Sequence, residues 1–218
     1  MGTVTISATY GTGGSIIGPA VAKRLGLQFV DRAIPISLVK KIHSPLGAAL
    51  ADDSNRTSAV ERMLNSALSY SALFAGVPRA DEAMGVVPDV GHTEAAIRRL
   101  ADAGGLVILG RAGVFVLQDR KDVFHVRLDG DVEARRRAAM AYESLDYKTA
   151  ARMQQDTDYA RRAYVKHFYP RCGSWDDPRH YHMVLDSTAI PIETCVEIIT
   201  IAARKVFASV AADAPGGE

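Results

Sequence analysis

Short apolar runs alternate with segments of helical spacing along most of this chain. Residues 3–8 (TVTISA) are β-branched and short, which predicts a strand, and they run into YGTGGS. Ile17, Val21 and Leu25 then recur at spacing four and predict a helix, which Gly26 ends. LQFV supplies a second short strand ending at Asp31. Residues 34–43 read as helical, and 44–58 read as a loop because they mix Pro, Gly, Asp, Asn and Ser. A helix over about 59–75 follows, and then GVPRADEAMGVVPDVG, another Gly and Pro punctuated loop. Together these predict a mobile helical and loop insertion over 44–91. Residues 92–103 read as helix, and LVIL and VFHVRL are apolar runs short enough to be buried parallel strands. Helical patterns cover 131–143 and 147–169, HMVLD makes a fifth strand, and 192–208 make a closing helix. The tail, 211–218, is expected to be disordered.

Five short apolar strands separated by helices predict an α/β fold, a parallel sheet covered on both faces with ligands at the carboxyl ends of its strands. A single domain over 1–210 accounts for the pattern, with no internal repeat. Composition agrees, since 48% of the 218 residues are hydrophobic, ample for a buried core. The 26 basic and 25 acidic side chains leave a net charge of +1, so no overall field advertises a nucleic acid or an anionic membrane. Any anion site must be local. No basic segment followed by an apolar one opens the chain, and no stretch stays apolar for the ~18 residues that a membrane span needs. A cytoplasmic protein is expected, with no membrane partner. Cys172 and Cys195 stand apart, without a C-x-x-C or a metal-like spacing to histidine, and read as reduced thiols.

Gly11, Thr12, Gly13, Gly14 and Ser15 lie where the first strand meets the first helix, so backbone N–H groups and the helix N-terminus can converge there on an anion. A full phosphate loop reads G-x-x-x-x-G-K-S/T; the matching register here runs from Ala8 to Gly13, Gly14 and Ser15. The lysine is absent. Ser15 keeps the position from which a hydroxyl can bind Mg²⁺. The alternative is a tight strand-to-helix turn that needs glycine for packing alone.

Farther along, Arg135, Arg136 and Arg137 share one predicted helix. Asp158, Arg161 and Tyr164 follow on the next, at a spacing of three that puts them on one face. A carboxylate and forked guanidiniums presented together suit a nucleotide whose migrating phosphoryl group needs charge stabilisation. The alternative is a solvated helix hairpin whose Asp158 and Arg161 form a surface pair worth a few tenths of a kcal/mol. Arg111, directly after LVIL and Gly110, sits at the carboxyl end of a central strand and is placed to hold a phosphate or to cap the following turn. Asp186, Ser187 and Thr188 end the fifth strand, where they either touch a base or cap the last helix.

Taken in order, VTIS, YGTGGSIIGPAVAKRLG, FVDR, ILGRAGVFVL, HVRL, DTDYARRAYV and DPRHYHMVLDST resemble the cytidylate kinase-like branch of the nucleoside monophosphate kinases. The resemblance spans nearly the whole chain, and its most specific pieces are the glycine loop and the D-x-x-R-x-x-Y segment. It implies a P-loop kinase fold with lid helices over 131–170. It also implies ATP-dependent phosphoryl transfer, with Mg²⁺, to a nucleoside monophosphate, CMP or dCMP foremost. Residue by residue it implies Gly11 to Ser15 as the ATP phosphate loop, Arg111 as a substrate phosphate ligand, Asp158 with Arg161 as a nucleotide-facing pair, and Arg135 as a further lid arginine. The chain departs from the pattern at several places. Ala112 stands where an aspartate contacts CMP, Leu109 where an acidic residue is usual, and Ala8 where an arginine commonly follows IS. Asp31-Arg32-Ala33-Ile34-Pro35-Ile36-Ser37 replaces D-S-G-x-x-Y-R. Lys23, Arg32 and Arg111 are candidates to replace the lost lysine charge.

Two other functions remain open, a nucleotide-binding regulator without turnover and a kinase for another small substrate accommodated by 44–91. Leu64, Ala67, Leu68, Ala72 and Leu73 give that insertion a helical face, for packing on its own core or for a homodimer.

Overall fold

The computed structural model describes residues 2–30 and 90–212. The expected helices at 34–43 and 59–75, the loops around them, the apolar face from Leu64 to Leu73, Asp31, Arg32 and the tail beyond 212 lie outside the described residues. The chain divides into two compact units, one of residues 1–32 with 97–218 and one of residues 33–96. Only 90–96 of the second unit is described, as the first turns of a helix.

The first unit is built on five parallel strands, β1 (Thr3–Ala8), β2 (Gln28–Val30), β3 (Leu106–Leu109), β4 (Val123–Asp129) and β5 (Met183–Asp186). Their order across the sheet is β2-β3-β1-β4-β5. Register is set by Val4 opposite Val107 on one side of β1 and opposite Phe124 on the other. The helices are α1 (Gly14–Leu25), α2 (Val90–Asp102), α3 (Gly113–Val116), α4 (Val132–Glu143), α5 (Tyr147–Phe168) and α6 (Ile192–Ala212). α6 runs four residues past the end that its periodicity predicts. The four-residue α3 is not among the elements expected from sequence.

The central strands are buried along their whole length, which is why they read as continuous apolar or β-branched runs instead of alternating ones. On one face of the sheet Val4, Ile6, Ala8, Phe124, Val126 and Leu128 pack against Ile17 and Val21 of α1 and Val196, Ile199 and Ala203 of α6. Each of the valine, isoleucine, leucine and phenylalanine side chains among them, fully buried, contributes about 1.5–3 kcal/mol. The other face is mixed. Leu106, Ile108 and Val123 meet Ile97, Ala101, Val116 and Leu117 there, but Thr3, Thr5, Ser7, His125 and Arg127 are buried there too. Period two puts these polar residues together on one side of β1 and β4.

Buried polar groups require partners. Thr5 Oγ1 and His125 Nδ1 are 2.7 Å apart, and Tyr181 donates its hydroxyl proton to the Trp175 carbonyl at 2.8 Å. Arg127 donates to both Asp129 and Asp176, and its guanidinium lies 4.4 Å above the Trp175 ring. The segment after α5 is thereby bound to β4 through charge.

Candidate active site at the carboxyl end of the sheet

The chain leaves β1 through Thr9 and Tyr10 and turns at Gly11, whose φ is +85°, and again at Gly13, whose φ is +68°. Gly13 is the N-cap of α1, and no side chain caps it. A helix start of this kind directs its first N–H groups and the positive end of its dipole toward the carboxyl edge of the sheet. Both glycines are favoured by their positive φ, and Gly11 is required for close approach to backbone as well. A Cβ on Gly11 would lie 2.1 Å from the Arg135 carbonyl oxygen, and one on Gly13 would lie 2.6 Å from an Ile192 methyl. Thr12 closes the turn by donating to the Thr9 carbonyl at 2.7 Å, and Ser187 Oγ donates to the Thr12 carbonyl at 2.8 Å.

Ser187, for which the sequence alone offers contact with a base or a cap on the last helix, is thus a residue that holds the loop. Its neighbour Asp186 accepts from the Thr188 and Ala189 N–H groups, a turn that ends before α6 begins. The carboxylate therefore caps this turn and not the last helix.

Behind the loop lies a buried charge cluster. Asp158 accepts the Tyr10 N–H at 2.8 Å through Oδ1 and an Arg135 guanidinium proton at 2.7 Å through Oδ2. Both side chains are 6% exposed. Arg135 also donates to the Tyr10 carbonyl at 3.0 Å and the Gly130 carbonyl at 3.1 Å. Arg161 donates to the Ala8 carbonyl and lies 3.8 Å from Asp158 Oδ1. Asp158, Arg161 and Tyr164 do share a helical face, and its first two residues meet the chain entering the loop while Tyr164 packs against Phe168 and Tyr169. Arg136 differs, binding Glu133 on its own helix and the Tyr147 hydroxyl near the surface. Arg137 is exposed.

Asp129, at the end of β4, was not singled out from sequence, although the strand's period of two pairs it with Arg127. It accepts Thr9 Oγ1 at 3.0 Å and Arg127 Nη2 at 2.8 Å. Burial works against its charge, yet the Arg127 guanidinium with the Gly130 N–H and Thr9 holds its carboxyl below the usual range. Arg111 occupies the turn after β3, the strand beside β1. There Gly110, Arg111 and Ala112 all take positive φ, at 73°, 52° and 51°. Left-handed backbone at two non-glycine residues costs of order 1–3 kcal/mol each and is characteristic of functional turns.

A glycine-rich strand-to-helix loop at the carboxyl end of a parallel sheet, backed by arginines, is the arrangement of a phosphate-binding α/β protein. The cytidylate kinase-like family matches residues 3–189. The chain belongs to that family. Among solved structures it is similar to an uncharacterized protein from Eubacterium ventriosum ATCC 27560, at 16% identity and a TM-score of 0.63, over 94% of this chain and 99% of that one. It is also similar to a gluconokinase from Sinorhizobium meliloti 1021, at 15% identity and a TM-score of 0.52, over 98% of both chains. No curated protein matches it. The fold is that of the P-loop kinases, with a five-stranded parallel sheet.

For a cytidylate kinase-like chain, the loop position that carries lysine in G-x-x-x-x-G-K is Gly14. A Cβ there would lie 2.8 Å from the Ala8 Cβ and 3.2 Å from a Leu109 methyl. The space into which a lysine side chain would start is occupied by the side chains of β1 and β3.

Kinase chemistry also implies Mg²⁺. Among the described residues no three His, Cys, Asp or Glu side chains form a metal cage. A magnesium ion carried on phosphate oxygens needs only one or two protein oxygens. Ser15, exposed on the first turn of α1, offers such a hydroxyl, so this chain fits a phosphate-borne ion. No helix among the described residues is long and apolar enough to cross a membrane.

Proposed function

We propose that this chain is a cytoplasmic phosphotransferase that moves the γ-phosphoryl group of ATP, bound with Mg²⁺, to a small acceptor. Nucleoside monophosphates, CMP and dCMP first, are the acceptors to test. The observation that carries the reading is the loop from Gly11 to Ser15, held by Ser187 at Thr12 and, through the preceding Tyr10, by Arg135 and Asp158. In this reading the loop's N–H groups and the N-terminus of α1 receive the triphosphate, and Ser15 Oγ takes a place around the magnesium ion that neutralises it. Arg161 and Arg135 set a positive potential behind the loop, and Arg111 faces the acceptor phosphate from the strained turn after β3.

A second reading has a specific observation in its favour. Gly14 has no room for a lysine, and Ala112 stands in place of an acceptor-binding aspartate, which fits a nucleotide-binding regulator without turnover. One experiment separates the two. Purified protein at high concentration is incubated with ATP, Mg²⁺ and each nucleoside monophosphate in turn, and ADP is followed. Acceptor-dependent ADP that disappears in Gly13→Val supports the transferase. ATP-dependent thermal stabilisation without ADP supports the regulator. Neither stabilisation nor turnover defeats both.

A further inference from the structure

The loop lacks a cation at residue 14 and the packing around Gly14 excludes one, so the charge that a triphosphate needs must arrive from another element. Resting on the reading above, we propose that Arg161 of α5 is the resident cation of the phosphate loop. It would act in place of a loop lysine and already be docked before any ligand binds.

Both halves of the argument meet at Ala8, the last residue of β1. Its Cβ lies 2.8 Å from where a residue-14 Cβ would sit, and its carbonyl accepts the hydrogen bond of Arg161. Arg161 therefore caps the strand end from which the glycine loop departs. Its side chain is 16% exposed, enough burial to fix it and enough opening to meet a ligand. Asp158 orients it from 3.8 Å, and the same carboxylate oxygen accepts the Tyr10 N–H. One residue thus positions both the cation and the loop backbone. Arg135 and Arg161 both approach Asp158, and Arg135 lies 3.9 Å from Asp129 as well, so the charges behind the loop are held in one connected cluster.

Among the described residues, which do not include Arg32, the other cations near the strand ends are less suited. Lys23 is exposed about 13 Å along α1 from its first residue, at 1.5 Å per residue. Arg24 binds Glu193, and Arg127 is taken by Asp129 and Asp176. Arg135 is 6% exposed and bound to two backbone carbonyls besides Asp158. Arg111 belongs to the turn of the neighbouring strand.

The test uses the full chain titrated calorimetrically with Mg·ATP, in Arg161→Gln, Arg161→Lys and Ala8→Gly/Gly14→Lys, the last with and without Arg161→Gln. Glutamine keeps a donor for the Ala8 carbonyl while removing the charge. Ala8→Gly clears the 2.8 Å obstruction so that a lysine can enter at residue 14. Loss of one charge-assisted contact to phosphate should weaken ATP binding roughly 10- to 100-fold in Arg161→Gln. Arg161→Lys should stay within about threefold to tenfold of wild type, since the charge is kept and the fork is lost. With the loop lysine restored, Arg161→Gln should cost less than about threefold. Wild-type affinity in Arg161→Gln overturns the assignment and leaves the kinase reading standing. So does an equal loss from Arg161→Gln with and without the loop lysine. If Arg161→Gln melts early, an Arg161→Lys protein that is folded but binds Mg·ATP more than about tenfold more weakly than wild type overturns it as well. A wild-type chain that does not bind Mg·ATP removes the functional reading and this assignment together.

Discussion

Replacing Asp158 by asparagine separates a surface hairpin from a buried electrostatic lock. If Asp158 paired only with Arg161 on a solvated helix face, the change would cost a few tenths of a kcal/mol. In the structure Asp158 is 6% exposed, accepts the Tyr10 N–H and faces Arg135 at 2.7 Å. Asparagine can still accept from Tyr10 through its carbonyl oxygen, but its NH₂ then faces a guanidinium donor and Arg135 is left buried without its counter-charge. Removing one partner of a buried pair costs about 3–5 kcal/mol, and the retained acceptor places this variant near the lower end. At roughly 2–4 °C per kcal/mol for a chain of this size, the melting temperature should fall by about 6–12 °C. Urea denaturation followed by circular dichroism gives the free energy directly. Arg135→Met completes a cycle. In the double variant no charge of the pair remains unmatched, so the two losses should fall short of additive by about 1–3 kcal/mol. An Asp158→Asn protein within about 0.5 kcal/mol of wild type, with an additive cycle, would refute the reasoning.

Gly11→Ala should be among the most damaging single changes in the chain. Its Cβ would meet the Arg135 carbonyl oxygen at 2.1 Å at a φ of +85°, so a loss of at least about 3 kcal/mol is expected by urea denaturation, and a loss below about 1 kcal/mol would contradict the packing described. His125 predicts a pH dependence. Burial first, and then the charge of neighbouring His182, push its pKa from the usual 6.5 down to about 4. The unfolded chain binds the proton more readily, so the stability tied to neutral His125 is complete above pH 6.5. It declines by up to about 3 kcal/mol as pH falls to 4. His125→Asn should flatten that part of the profile, and an unchanged slope in the variant would show that another group titrates.

Much of the fold was legible because β1, β3 and β4 are buried on both faces and therefore leave unbroken apolar or β-branched runs. The boundaries of α4 and α5 followed from their periodicity, and each has an aspartate N-cap, Asp131 and Asp146. α3 escaped because it is made by the chain reversal at Gly110, Arg111 and Ala112, and two of those three left-handed residues carry no glycine signal. The glycine loop was legible from its strand-helix context. The three-residue spacing of Asp158, Arg161 and Tyr164 correctly put them on one face. What no periodicity encodes is which backbone group that face meets. Asp158 finds Tyr10 across 148 residues and Arg161 finds Ala8 across 153. For the same reason the lost lysine read from sequence as a simple absence, whereas the fold turns it into an exclusion by Ala8 and Leu109.

The burial of these contacts also bears on which part of the helical hairpin is free to move. Swinging α4 and α5 away together would expose Arg135 and Asp158 and break their bonds to Tyr10, Gly130 and Ala8, at a cost of several kcal/mol. The far end of the hairpin is held differently. Tyr142, Glu143, Ser144 and Tyr147 are exposed, and Arg136 bridges Glu133 and Tyr147 near the surface, contacts worth at most about 1 kcal/mol each. Tyr10 reaches this end through its hydroxyl, which donates to Glu143 at 2.8 Å. Bending of the tip is therefore much cheaper than opening at the base, and the arginines behind the glycine loop stay in place while it bends. In a hinged lid, by contrast, arginines reach the phosphates only on closure. On the proposed reading, the buried aspartate between them would hold the base of the hairpin as a fixed wall while its tip bends.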